Sequence, residues 1–329
     1  MVNQFVFRSL ILFIALLSVP IHALPSARVG GGGCLRLSRW HIPRGHYSGI
    51  TPLGGMRYAI VSDKEPQAGF FVWEIEQDPS TGAIRHVQST GFRGTDYPYV
   101  RDAEGICFCP WREGILISGE ADQRILEHRT DGSLTNHELP VPKTCDAAHI
   151  QPNRGFEALT CDTLRRLIWT CTEAPLLEDT TATLRLLCFD SHLRLLHQYR
   201  YPLEAEQARN HGRDHYHGVV ALATQADGSL LVLEREARIA RRYSGSRCWH
   251  RLFSFRPQTG EKRQIQAWKT RFNVFDTRFA NYEGMCLGRP LPDGRQTLLL
   301  VSDSQGGYGR GPWRLKDRLR LLVLPAPAP

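Results

Sequence analysis

Hydrophobic residues along this chain come in short runs broken by glycine, aspartate and proline. They do not hold the three-to-four spacing of a long helix over any useful length; the best helical candidate, residues 204–209, is short. Runs such as Ile115-Leu116-Ile117, Leu230-Leu231-Val232-Leu233 and Leu298-Leu299-Leu300-Val301 predict buried strands instead. Asp131-Gly132, Asp227-Gly228 and Asp293-Gly294 lie before or between such runs, where they supply the positive φ that tight strand connections need. An all-β chain of many short strands follows.

A longer period is laid over the strands. A polar, small, apolar turn recurs five times, and each copy is followed roughly fifteen residues later by an apolar strand that ends in an acid. The copies are Tyr47-Ser48-Gly49-Ile50 with Ser62-Asp63, Ala103-Glu104-Gly105-Ile106 with Gly119-Glu120, and Phe156-Glu157-Ala158-Leu159 with Thr172-Glu173. Tyr216-His217-Gly218-Val219 with Leu233-Glu234, and Tyr282-Glu283-Gly284-Met285 with Ser302-Asp303, complete the set. The residues before the small one (48, 104, 157, 217, 283) are separated by 56, 53, 60 and 66. Within the second copy, residues 106–108, 114–118, 124–129 and 134–139 read as four successive strands. Four-stranded units repeated radially are the blades of a β-propeller.

The fifth unit has only three strands, the last at residues 318–324, so residues 34–40 from the N-terminal end are assigned as its fourth, closing the ring. That arithmetic favours five blades. Residues 250–255 and 262–268, on either side of Thr259-Gly260, leave a sixth open. A two-sheet sandwich is the rival, but it does not explain a repeat of acid placement. Strand one is innermost in a blade, and the start of strand one lies beside the end of strand two. The acids should therefore converge on one mouth of the central channel: Asp63, Glu65, Glu104, Glu120, Glu157, Glu173, Glu234, Glu283 and Asp303. So many carboxylates need a cation, arginine partners or shared protons to offset them. Oxygen-only ligation suits calcium, with magnesium as the alternative.

Composition changes this picture little. Net charge is +8, but the arginines are spread through the strands rather than gathered in one aromatic-interleaved stripe, which argues against a nucleic-acid partner. Residues 1–27 have the form of a signal peptide and short leader, with Arg8 ahead of an apolar core at 10–19 and a small residue, Ala23, at a cleavage position. Export to the periplasm or outside the cell is the expectation, with a propeller domain over 28–324, a Pro-Ala tail over 325–329, and no membrane span in the mature chain. Nine cysteines allow one or two disulfides in that compartment. Cys161, Cys171 and Cys188 sit in apolar runs where a thiol behaves as a small hydrophobe.

At the third repeat the wording becomes specific. Asn153-Arg154-Gly155-Phe156-Glu157-Ala158-Leu159-Thr160, Thr172-Glu173-Ala174-Pro175-Leu176, Leu230-Leu231-Val232-Leu233-Glu234-Arg235 and Asn281-Tyr282-Glu283-Gly284-Met285 together resemble the phytase-like family named for its esterase-like activity. The resemblance implies a metal-dependent phosphoesterase on a propeller, and carries Glu104, Glu157, Glu173, Glu234, Glu283 and Asp303 over as site acids, with Asp63 closing the first repeat. Ser48 and His217 stand where the other copies have Glu.

The functional expectation assigns Glu157, Glu173 and His217 to catalysis and Glu104, Glu283, Asp303, Asp63 and Glu234 to the cation. Arg154 and Arg235 are placed on the substrate, a small phosphorylated or ester compound. His217 is singled out because the repeat register aims it at the channel, whereas His211 and His215 read as part of a surface loop that could also ligate a transition metal. No Gly-x-Ser-x-Gly elbow is present, which speaks against serine-esterase chemistry. The alternatives are a lactonase or sugar-ester hydrolase, and a calcium-stabilised propeller that binds a glycan, peptide or surface partner without turnover.

Overall fold

The computed structural model describes residues 33–273 and 278–326, so the expected signal peptide and most of the Pro-Ala tail lie outside the described residues. A short strand β1 (Cys34–Arg36) comes first. Blade one is β2 (Tyr47–Gly54), β3 (Arg57–Ser62), β4 (Ala68–Gln77) and β5 (Ile84–Thr95). Blade two is β6 (Ala103–Cys109), β7 (Gly114–Gly119), β8 (Arg124–Arg129) and β9 (Leu134–Leu139). Blade three is β10 (Phe156–Asp162), β11 (Leu167–Thr172), β12 (Thr183–Phe189) and β13 (Leu195–Pro202). Blade four is β14 (Asp214–Thr224), β15 (Leu230–Ile239), β16 (Ser246–Arg256) and β17 (Glu261–Phe272). Blade five is β18 (Asn281–Leu287), β19 (Thr297–Asp303) and β20 (Arg318–Val323), and β1 pairs antiparallel with β20 as its fourth strand.

This is a five-bladed propeller closed by its N-terminal strand. Residues 250–255 and 262–268 fall on β16 and β17, the two outer strands of blade four, so the described residues form no sixth blade. The closing strand is shorter than expected, because Leu37–Trp40 turns into a 3-10 segment. Residues 204–209 form a loop and not a helix.

The hydrophobic pattern accounts for the ring. Five apolar clusters each span two neighbouring blades: Tyr47, Trp73, Leu299 and Leu319 join blades one and five, and Trp169, Leu186, Val232 and Phe255 join blades three and four. Each blade is thus buried on both faces, which is why its central strands are continuous apolar runs. Burying these faces supplies the cohesion, at about 25 cal/mol per Å² of apolar surface removed from water. All nine cysteines are unpaired thiols; seven of them are buried, so the anticipated disulfides are not formed and the sulfurs serve as core hydrophobes.

The first strands of the blades, β2, β6, β10, β14 and β18, stand side by side around the axis. The small residue of the repeat has its explanation here. A Cβ on Gly49 would lie 2.4 Å from the carbonyl oxygen of Glu104, and one on Gly105 would lie 2.4 Å from that of Glu157. Neighbouring inner strands approach too closely at these points for a side chain.

Candidate active site

Every inner strand carries an irregularity at the repeat motif. Pairing skips Ser48 in β2, Glu104 and Gly105 in β6, Glu157 in β10, Val220 in β14 and Glu283 in β18. Such bulges bend a strand and re-aim a side chain, here around one mouth of the axis. Near each bulge stands one residue of the second strand: Asp63, Glu120 and Glu173 just beyond its paired end, Arg235 and Asp303 within the pairing. The rim is therefore two rings of five, with acids at Glu104, Glu157, Glu283, Asp63, Glu120, Glu173 and Asp303.

Blade four is the exception, and the structure corrects its register. Its equivalents of Glu157 and Glu173 are Val220 and Arg235, not His217 and Glu234. Side chains alternate along a strand, so a slip of one residue sends Glu234 to the opposite face from Arg235. There Glu234 accepts from Tyr201 Oη (2.9 Å) and Lys262 Nζ (2.7 Å), with Arg251 at 3.3 Å. His217 lies on that side too, its Nε2 accepting from Arg251 Nη2 (3.2 Å). Burial holds it below the usual imidazole range despite the nearby Glu236. Neither residue lines the cavity. The Tyr-His-Gly-Val motif imitated the repeat because Gly218 also answers a close approach, its missing Cβ position lying 2.0 Å from the carbonyl oxygen of Glu173.

Above the rim lies a cavity of about 650 Å³. Asp63, Asp102, Glu104, Glu120, Glu157, Glu173, Glu283 and Asp303 line its acidic part; Glu65 does not reach it. Arg235 sits among them, buried, donating through Nη1 to Glu283 Oε1 (2.8 Å) and Asn281 Oδ1 (3.0 Å) and through Nη2 to Glu173 Oε1. Glu157 Oε1 is 3.9 Å from the same Nη2. Arg154 binds the other Glu173 oxygen (2.7 Å) and lies over the Tyr216 ring, 4.6 Å from its centroid. Both arginines expected on substrate are thus committed to carboxylates.

These contacts divide the acids. Burial pushes Glu173 up, but Arg235 and Arg154 outweigh it and hold the carboxyl below its usual range. Burial, then Glu157 and Glu283, push Glu104 well up. Burial and Glu173 do the same to Glu157 against the pull of Arg235. Glu283 is pushed up to about 7 by burial, which Arg235 only partly offsets. Burial and Glu283 raise Asp303 well above its usual range.

In the metal-free protein these raised groups set a direction. Folding keeps protons on Glu104, Glu157, Glu283 and Asp303 that the unfolded chain releases near pH ~4. Their contribution is therefore full below that point and is lost as pH rises, for Glu283 through about 7. Glu173 runs the other way, losing its contribution as pH falls. Four groups outweigh one, so Tm in chelator should fall between pH 5 and pH ~8. A Tm that rises steadily across that window in chelator would contradict this balance.

The donor set fits a hard divalent cation. Asp63, Asp102 and Glu104 each bring a carboxylate oxygen within 4.8 Å of the other two. Glu157 Oε2 is buried and accepts no hydrogen bond, a costly state that a cation would relieve, whereas Asp63 Oδ1 has the His46 imidazole at 3.4 Å. The Lys64 ammonium already bridges Asp63 (3.2 Å) and Asp102, marking where positive charge is favoured. Asp102 and Lys64 were absent from the sequence expectation. Asp102 lies two residues before the acid of its repeat motif and adopts a left-handed backbone (φ 52°), which periodicity does not reveal.

Another part of the lining is different in kind. Tyr216, Tyr243, Phe272, Phe279, Trp313 and Leu315 make it largely apolar, with Arg213 and Arg242 among them. Arg213 Nη1 donates to Tyr243 Oη (2.5 Å), which in turn meets Tyr308 Oη at 2.6 Å.

Residues 42–305 match the family model described as "Phytase-like: Esterase-like activity of phytase". The chain belongs to this family. Among solved structures, this phytase-like chain is similar to a luciferin-regenerating enzyme (11% identity, TM-score 0.47, 90% of this chain and 98% of that one). It is also similar to a streptogramin B lyase (13%, 0.41, 89% and 98%) and to the Pseudomonas aeruginosa periplasmic gluconolactonase PpgL (16%, 0.38, 82% and 71%). A comparison with curated proteins finds no match. No helix among the described residues is long and apolar enough to cross a membrane.

Proposed function

We propose that this phytase-like chain hydrolyses a small phosphate ester at the acidic rim with the help of a divalent cation, calcium before magnesium. The observation that carries the reading is a row of rim carboxylates, with the buried Oε2 of Glu157 accepting no hydrogen bond, beside the basic groups Lys64 and Arg242 around one cavity. Asp63, Asp102 and Glu104 would hold the cation, which would neutralise phosphoryl charge and acidify a bound water. Glu157, raised and with a free Oε2, fits the role of proton donor. Glu173 does not, because its two arginines keep it ionised; it holds Arg235 in place instead. Arg242 suits the phosphoryl oxygens, whereas Arg213 is held by Asp214, and the aromatic wall suits the organic part of the ester.

The same wall favours a second reading, a neutral sugar ester or lactone stacked on Tyr216 or Trp313, for which the arginines would be less needed. Residues 1–27 support export of the protein before it acts. The test of the cation site is a calcium titration of the purified protein beside Glu104→Gln. Saturable binding weakened at least about 10-fold in the variant is expected. No binding by the native protein would remove the cation from the proposal and leave a propeller that binds partners without it.

A further inference from the structure

A second cluster of metal-ligating side chains lies on the other face of β14. Alternation places Asp214 and Tyr216 in the cavity lining and sends His215 the opposite way. There Glu206, His211 and His215 each offer a ligand atom within 4.8 Å of the other two. His211 Nε2 is 3.0 Å from Glu206 Oε2, and His215 Nδ1 is 3.9 Å from Glu206 Oε1. The two imidazole rings are stacked, 4.0 Å apart and 2° from parallel, so the exposed His211 ring must turn for both nitrogens to meet one ion.

The support beneath these groups distinguishes the cluster from incidental surface histidines. His215 is largely buried, and its Nε2 lies 3.1 Å from Oε1 of the buried Glu236. A proton on Nε2, donated to that carboxylate, leaves Nδ1 as the lone-pair nitrogen facing Glu206. Glu236 also accepts from the backbone N–H groups of Gln207 (2.5 Å) and Ala208 (2.7 Å), the residues that follow Glu206. One buried carboxylate thus orients the imidazole and anchors the loop that supplies the carboxylate ligand. A carboxylate behind a ligating histidine is the usual outer-shell support of zinc.

We propose that Glu206, His211 and His215 form a second metal site, which takes a borderline divalent ion of the zinc class and not calcium. Two imidazoles and one carboxylate leave a fourth position for water, and nitrogen donors select against the hard cations that suit the rim. The ion would clip the loop after β13 to β14. Its neighbour Arg213 reaches the cavity, so the clip steadies one wall of the active site from behind. This site does not depend on the reaction assigned to the cavity.

The experiment is a zinc chloride titration of the full chain in excess calcium, followed by calorimetry and by Tm, with cobalt(II) absorption as a signature of nitrogen ligation. One zinc per chain, a rise in Tm, and affinity lowered about 10-fold or more in His211→Ala are expected. His211 is exposed, so this variant should fold even if His215→Ala does not. Zinc affinity unchanged in both His211→Ala and Glu206→Gln, or no zinc binding in excess calcium, would overturn the proposal.

Discussion

Arg235→Met should destabilise the metal-free protein by roughly 3–5 kcal/mol, the usual cost of removing one partner from a buried ionic cluster. Arg235 is the only basic residue in the two rings of the rim, and it faces Glu173, Glu283 and Glu157 at once. Methionine preserves much of the volume but leaves three buried carboxyls with the cation gone; Arg154 reaches only Glu173 among them. Two of the three would take up protons, so the loss should be larger at pH 8 than at pH 5. Urea unfolding at the two pH values measures it. Calcium should restore part of the stability, because a cation in the same ring replaces part of the missing charge. A loss below about 1 kcal/mol at both pH values would mean the carboxyls are satisfied without the guanidinium.

The second large effect has opposite signs for stability and activity. Glu157→Gln replaces a carboxyl crowded by Glu173, Glu283 and Glu120 with a neutral amide of the same shape. The metal-free variant should be as stable as the native protein or more so above pH 7, since no charge remains to be buried there. Phosphate-ester turnover should nevertheless fall about 10²–10⁴-fold, the range for loss of a general acid or base. A residue that serves folding would lower both together. Parallel thermal melts and initial rates separate the cases, and a variant with native rates would remove Glu157 from the chemistry.

The blade count and most of the rim could be read from the sequence because both follow from local chemistry. Asp-Gly turns and apolar runs mark β7 to β9 nearly to the residue, while β6 begins three residues before the run read for it. The small residue of each motif reports the close approach of inner strands, as at Gly49 and Gly105. Blade four was misread for the same reason: Gly218 meets an equally close contact while the bulge falls two residues later, at Val220. That shift exchanged an inward arginine for an outward glutamate. A better signal was present in the second strands, where each rim acid follows a Ser, Thr or Gly, whereas Glu234 follows Leu233. What no pattern could show was the engagement of Glu173 and Arg235 with each other. That pairing changes a supposed catalytic carboxylate and a supposed substrate clamp into a support for the remaining acids.

The central claim is that the rim carries out cation-assisted hydrolysis of a phosphate ester. Its most direct test is release of inorganic phosphate from a small phosphate monoester by the full chain, first in calcium, then in excess chelator, then with calcium restored. Release that depends on calcium, disappears in chelator and returns on readdition is the predicted result. Phosphate release indifferent to chelator, or none in calcium from a protein that binds it, would contradict the account.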